Sequence, residues 1–129
     1  MKKPFMLLTL LCLLLIILLG GLIGLTNLNR PFLNQQSVQF SDAEGNNLVG
    51  AYLSGTEPVG VLFLEGFGSD QIAMRPAAHV FQTAGAHIFT FDFSGHGQSD
   101  GMLGFDNAAT DRLARQTLVA KEVFKSISG

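Results

Sequence analysis

One cysteine, Cys12, occurs in 129 residues. A single thiol excludes a disulfide or a zinc site within the chain. Cys12 sits in an apolar run, where a lone thiol packs as a small hydrophobe. Charge is also scarce: 14% of residues are charged, against about 25% in ordinary soluble domains. The shortage is local, because no charged residue lies between Phe5 and Leu25. Beyond Arg30 there are five basic and ten acidic residues, a net charge of −5. With no basic patch, nucleic acid is excluded as an expected partner. No alanine precedes Ala43, which removes the A-x-A site of a cleaved signal peptide.

What the N-terminus does have is a run of Leu, Ile and Gly from Phe5 to Leu25, 21 residues long. As a helix it spans about 31 Å, which matches a hydrocarbon core of about 30 Å. A signal-peptide core is shorter, about 7–15 residues, and Gly24-Leu25-Thr26 is a poor cleavage site. The expectation is an uncleaved anchor in a lipid bilayer. Lys2 and Lys3 precede the run and only Arg30 follows it closely, so the positive-inside rule puts the N-terminus in the cytoplasm and the rest outside. Gly20 and Gly24 form a G-x-x-x-G, a spacing that glycine-rich membrane helices often contain. The expected organisation is residues 1–30 as cytoplasmic N-terminus and signal anchor, 31–36 as tether and 37–129 as one small domain.

Within that domain, Ser37–Ser41 alternates as a strand with one wet face, and 42–47 is turn chemistry. Leu48–Leu53 reads as the second strand of a hairpin that adds antiparallel edge strands. Val61–Leu64 is continuously apolar, as in a parallel strand covered on both faces. Gln71–Ala84 has helical spacing through Ile72, Ala77 or Ala78, Phe81 and Ala84, and Gly85 closes it. His87–Phe91 is another strand, and Asn107–Ile127 a helix with Leu113, Thr117, Ala120, Phe124 and Ile127 on one side. Asp106 or Asn107 is the expected cap and Gly129 the end. The fold class is α/β: a hairpin plus a parallel strand-helix-strand unit, with the strand after Gly85 left open to pairing.

The stretch Gly95–Gly101 (GHGQSDG) contains G-x-S-x-G centred on Ser99. A nucleophile elbow needs its serine on a sharp turn directly between strand and helix. The nearest strand ends at Asp92, seven residues early, and Gly101–Phe105 starts no helix. Ser99 is therefore not expected to be a nucleophile.

The same stretch, from Phe91 to Gly101, resembles the D-x-x-G-x-G-x-S segment of α/β-hydrolases through Asp92, Gly95, Gly97 and Ser99. Val61–Asp70 (VLFLEGFGSD) resembles that family's third strand and oxyanion loop. Together they look most like the monoglyceride-lipase and serine-aminopeptidase branch. The resemblance implies an oxyanion donor at the backbone N–H of Phe67, and a structural rather than catalytic place for His96. It makes Asp92 a backbone-capping residue of the loop. Glu65 departs from the family's usual His; a solvated carboxylate at the loop edge is expected ahead of a buried carboxylate with an altered role. His79 and His87 have no partner that the sequence identifies.

The resemblance further implies the N-terminal half of a hydrolase sheet that cleaves small esters or amides with a serine. The nucleophile, acid and base are absent from this chain, and no cofactor or metal is called for. Two other readings stand beside it. Gly66-Phe-Gly68 between strand and helix, with Asp92 ending the next strand, suggests a dinucleotide-binding oxidoreductase, although Gln71 occupies the third glycine position. A non-catalytic, membrane-tethered interaction domain is the other.

Overall fold

The computed structural model describes residues 11–22, 34–102, 104 and 106–129. The chain divides into two compact units, Met1–Leu33 and Asn34–Gly129. In the first, residues 11–22 form a helix (α1) whose side chains are exposed. The rest of the Phe5–Leu25 run, including Gly24, and residues 31–33 of the tether lie outside the described residues. Among the described residues no helix is long and apolar enough to cross a membrane.

In the second unit the described strands are β1 (Gln36–Ser41), β2 (Asn47–Leu53), β3 (Gly60–Leu64) and β4 (His87–Phe91). The helices are α2 (Arg75–Thr83) and α3 (Ala109–Ser128). The strands make one sheet in the order β1-β2-β4-β3. β1 and β2 form the expected antiparallel hairpin, with Gln36 opposite Tyr52 and Ser41 opposite Asn47. β3 and β4 are parallel, as the strand-helix-strand pattern requires.

The order of the strands corrects two expectations. β2 is not an edge strand, because it also pairs antiparallel with β4. β4, expected to be open, is paired on both sides. The edges of the described sheet are β1 and β3; the central residues of β3 are half-buried and its ends are exposed. Its apolar sequence foretold cover on both faces, but cover depends on neighbours as well as on sequence.

Alternation in β4 divides the core between the two faces. Phe89 and Phe91 point to one side and join Leu48, Tyr52, Phe93, Ala120 and Phe124. Phe124 of α3 stacks on Phe89 with ring centroids 5.6 Å apart. It also lies over Gly60, where a Cβ would come within 2.9 Å of the ring, so glycine permits the approach. The seam of α3 runs through Gln116, Ala120 and Phe124, while Leu113 remains 37% exposed.

On the opposite face α2 buries only Ala78. Phe81 packs edge-on against Phe63 of β3 yet stays 47% exposed. The helix expected over 71–84 is divided: Gln71–Met74 is a 3-10 turn capped by the Asp70 side chain, and Pro76 stands in the first turn of α2. That place suits proline, whose missing N–H has no helical acceptor there. Gly85 follows with φ 95°, as expected of a helix-closing glycine. α3 begins later than expected. Its N-cap is Ala108, which has no side-chain cap bond, while Asp106 instead accepts from the Ala108 N–H at 3.0 Å.

An uncharged, unpaired strand edge is a template for another strand. A 34–129 polypeptide should therefore self-associate through β3. Leu64→Lys puts a charge at that edge and should shift its elution in size-exclusion chromatography from oligomer toward monomer. An unchanged profile would locate the contact elsewhere.

Candidate functional site

Two loops leave the carboxyl ends of the parallel strands β3 and β4, the side on which open α/β sheets bind ligands. The loop after β3 is Glu65–Asp70 and the loop after β4 runs from Asp92 to Gly101. Asp92 is 1% exposed. Its Oδ1 accepts the Gln71 backbone N–H at 2.7 Å, and its Oδ2 accepts Gln71 Nε2 and the Gln98 N–H, both at 3.0 Å. The carboxylate thus holds both loops together. Gly97 passes so close that a Cβ would sit 2.3 Å from Asp92 Oδ2. Gly95 turns with φ 77°.

Ser99 is a staple. Its hydroxyl donates to the Asp92 carbonyl and accepts the Val49 N–H at 2.9 Å, fixing the loop to β2. Its backbone N–H closes a turn on the His96 carbonyl at 3.0 Å. The imidazole of His96 is engaged elsewhere, so the two side chains that an elbow reading would pair are not brought together.

Glu65 corrects the sequence reading: it is buried, 8% exposed. Its Oε1 accepts the Phe93 N–H at 2.8 Å and meets His96 Nδ1 at 2.7 Å. Burial pushes its carboxyl above the ordinary glutamate range. The Phe93 N–H and the bond and charge of His96 oppose that rise, and the nearby Asp92 charge adds to it. An acid thus lies at the start of the loop after β3, with an imidazole as its partner. Phe67, one turn further on, sets its ring edge-on to His96 at 6.4 Å.

These residues border a cavity of about 210 Å³ that also touches Gly66, Ser94, Thr110 and Arg112. Arg112 is held by Asp106 at 3.2 Å. Behind the wall lies Gln116, which pattern reading missed because a polar residue interrupts the apolar stripe of α3. It is 2% exposed and fully engaged: Oε1 accepts the Ser94 N–H, and Nε2 donates to Asp42 Oδ2 and Ser94 Oγ. His87 also has a partner, the Tyr52 hydroxyl, 2.6 Å from its Nδ1. His79 Nδ1 has none among the described residues.

The dinucleotide reading fails on this geometry. Asp92 is spent on three N–H donors inside the protein, so it is not a ribose acceptor. Gln71, at the third glycine position, uses its side chain on Asp92 and Thr90. Among the described residues no cluster of His, Cys, Asp or Glu suits a metal ion.

No protein-family model and no curated protein matches the chain. Solved structures do. The α/β-hydrolase GrgF from Penicillium sp. sh18 matches at 28% identity with a TM-score of 0.59, over 72% of this chain and 32% of its own. The Pyrococcus furiosus esterase Pf2001 matches at 22% identity with a TM-score of 0.63, over 72% and 35%. The thioesterase domain from the curacin biosynthetic pathway matches at 20% identity and 0.56, over 68% and 33%. The structural neighbours of this chain are α/β-hydrolases. The chain spans about a third of the length of these solved structures. It is an α/β segment with a mixed four-strand sheet, resembling part of the α/β-hydrolase fold.

The raised Glu65 pKa fixes a sign for stability. The native state holds this proton more tightly than the unfolded chain does. The resulting stabilisation is complete below the unfolded pKa, about 4.3, and is lost as pH rises through the raised value. Relative to Glu65→Gln, the parent protein should lose stability above about pH 4.3, by roughly 1.4 kcal/mol for each unit of elevation. Urea midpoints of both proteins across pH 4–8 measure it, and a constant difference would contradict a buried, proton-binding carboxylate.

Proposed function

We propose that this chain is part of a membrane-anchored α/β-hydrolase that cleaves a small ester or amide by acyl transfer, and that it supplies the oxyanion side of the site. The observation that carries this reading is the placement of the Gly66-Phe67-Gly68 loop. It leaves the carboxyl end of a parallel strand and borders a cavity, in a sheet whose structural neighbours are hydrolases. In this reading the Phe67 N–H stabilises the developing oxyanion. A backbone donor is unaffected by the exchange of the preceding family His for Glu65, and such a donor accounts for about 10²–10³ in rate in known hydrolases.

The nucleophile, its base and its acid come from outside these 129 residues. Ser99 has its hydroxyl committed to Asp92 and Val49, and among the described residues no general base is bonded to it as nucleophilic activation requires. The uncharged Phe5–Leu25 run supports the anchor part of this reading, with the domain on the extracytoplasmic side.

A fluorophosphonate probe, which labels only activated serines, tests the assignment. Residues 1–129 should remain unlabelled, and Ser99→Ala should change nothing in the reactivity of a longer chain that carries a further strand and its own G-x-S-x-G. Labelling at Ser99 that His96→Ala abolishes would place the nucleophile here and overturn the reading. The anchor is checked separately: the full chain should stay with membranes through an alkaline carbonate wash, and release with a processed N-terminus would mean secretion.

A further inference from the structure

At the end of the sheet remote from the ligand-side loops, the first residue of β4 meets the turn that joins β2 to β3. His87 Nδ1 accepts the Gly55 backbone N–H at 3.2 Å and lies 2.6 Å from the Tyr52 hydroxyl. The imidazole stacks on the Tyr52 ring, with centroids 6.0 Å apart. A backbone N–H only donates, so Nδ1 presents its lone pair and the ring proton sits on Nε2. The Tyr52 hydroxyl then donates to the same nitrogen. A second proton, placed on Nδ1, would set one N–H against another at Gly55.

That nitrogen holds a turn with little room to shift. Thr56 and Glu57 donate their N–H groups to the Gly85 carbonyl at 2.8 and 3.0 Å, and His87 donates its own to the Val59 carbonyl at 2.8 Å. Gly55 passes so close that a Cβ there would overlap the Gly85 carbonyl oxygen and the Ala86 backbone. The turn thus fastens the start of β3 and the end of α2 to β4. Its one imidazole belongs to the residue type that changes charge between about pH 5 and 8.

Few other charges surround the ring. β2 brings Tyr52, and the turn brings Glu57, whose side chain lies over Gly85. β3 and the part of α2 after His79 carry no titratable residue. α3 presents Phe124 to Tyr52, while its Lys121 and Lys125 are 55% and 60% exposed beside Glu122.

We propose that His87, Tyr52 and the Gly55 N–H form an acid-sensitive latch, in which a proton taken from solvent by Nδ1 releases Gly55 and loosens the 54–59 turn from β4. The new N–H is left with the Tyr52 oxygen as its acceptor, which reverses that bond. The Thr56 and Glu57 bonds to Gly85 then open more often, while the β1–β2 hairpin keeps its register. The latch depends on neither the hydrolase nor the anchor reading.

The test uses the full chain labelled with ¹⁵N. At about pH 8, the upper end of histidine titration, His87 Nδ1 should resonate as an unprotonated nitrogen and Nε2 as a protonated one. At about pH 5 both should be protonated. Between the two, the Gly55 amide should lose at least about tenfold of its exchange protection through local opening, after correction for intrinsic exchange. Thr56 and Glu57 should follow, and amides at the centre of the β1–β2 hairpin should not. His87→Asn puts an acceptor oxygen in the place of Nδ1 but takes no proton, so Gly55 should be equally protected at both pH values. A proton on Nδ1 at the higher pH, or a ring still neutral at the lower one, would overturn the latch. So would Gly55 protection indifferent to the ring's charge, a loss spread over the whole sheet at once, or the same loss in His87→Asn. The ring state and the Gly55 response are read on the unaltered chain, so they decide even where His87→Asn does not fold.

Discussion

The carboxylate of Asp92 is the constraint on which the ligand side of the domain depends. A buried carboxylate without donors would be too costly to keep ionised, and here three N–H groups satisfy it from two separate segments. Because those donors come from Gln71 and Gln98, the start of the 3-10 turn and the bend of the glycine loop are fixed relative to the end of β4. Gly97 is then obligatory at the point of contact. Ser99 adds the third attachment, from the Asp92 carbonyl to β2. A motif spelled like a catalytic serine thus serves to hold a loop that frames a cavity.

Glu65 lives within the field of that carboxylate. Two acids at the ends of adjacent parallel strands would repel one another, and the structure answers with different means for each. Asp92 is neutralised by neutral donors distributed around it, whereas Glu65 is matched by one backbone N–H and one imidazole. Burial is what raises the Glu65 pKa, the Asp92 charge adds to it, and the Phe93 N–H and His96 oppose it. The pairing also gives His96 a role beyond a loop filler, since its ring is what allows an acid to occupy a site at the start of the Phe67 loop.

Much of this was legible in the sequence. Period-two alternation located β1, flanking turn chemistry its hairpin partner β2, and a continuous apolar run β3; β3 and β4 about a helical segment gave the parallel pair. Gly85 and Gly129 marked helix ends because their positive φ has a direct local cause. The strand order was not legible, because hydrogen-bond pairing between β2 and β4 is a non-local choice that no window of sequence contains. The same holds for Glu65 and Gln116. Polar residues at buried positions are recognised by their partners, and these lie 28 to 31 residues away for Glu65 and up to 74 for Gln116. For Asp92 and Ser99 the loop motif encodes only the local half of their bonding, to Gln98 and to the Asp92 carbonyl; Gln71 and Val49 lie 21 and 50 residues away.

The amide of Gln116 carries a consequence for the order in which the domain is assembled. It joins the last helix to the turn of the first hairpin, through Asp42, and to the β4 loop, through Ser94. The hairpin closes over a few residues, but the Asp42 contact encloses nearly the whole domain, and long closures are entropically later events. On a ribosome releasing the chain from its N-terminus, the hairpin, β3 and β4 all emerge before α3 exists. Until the helix arrives, the Ser94 N–H lacks its Gln116 acceptor and Phe89 lacks its stacking partner. Amide exchange at Ser94 therefore serves as a clock for α3 docking.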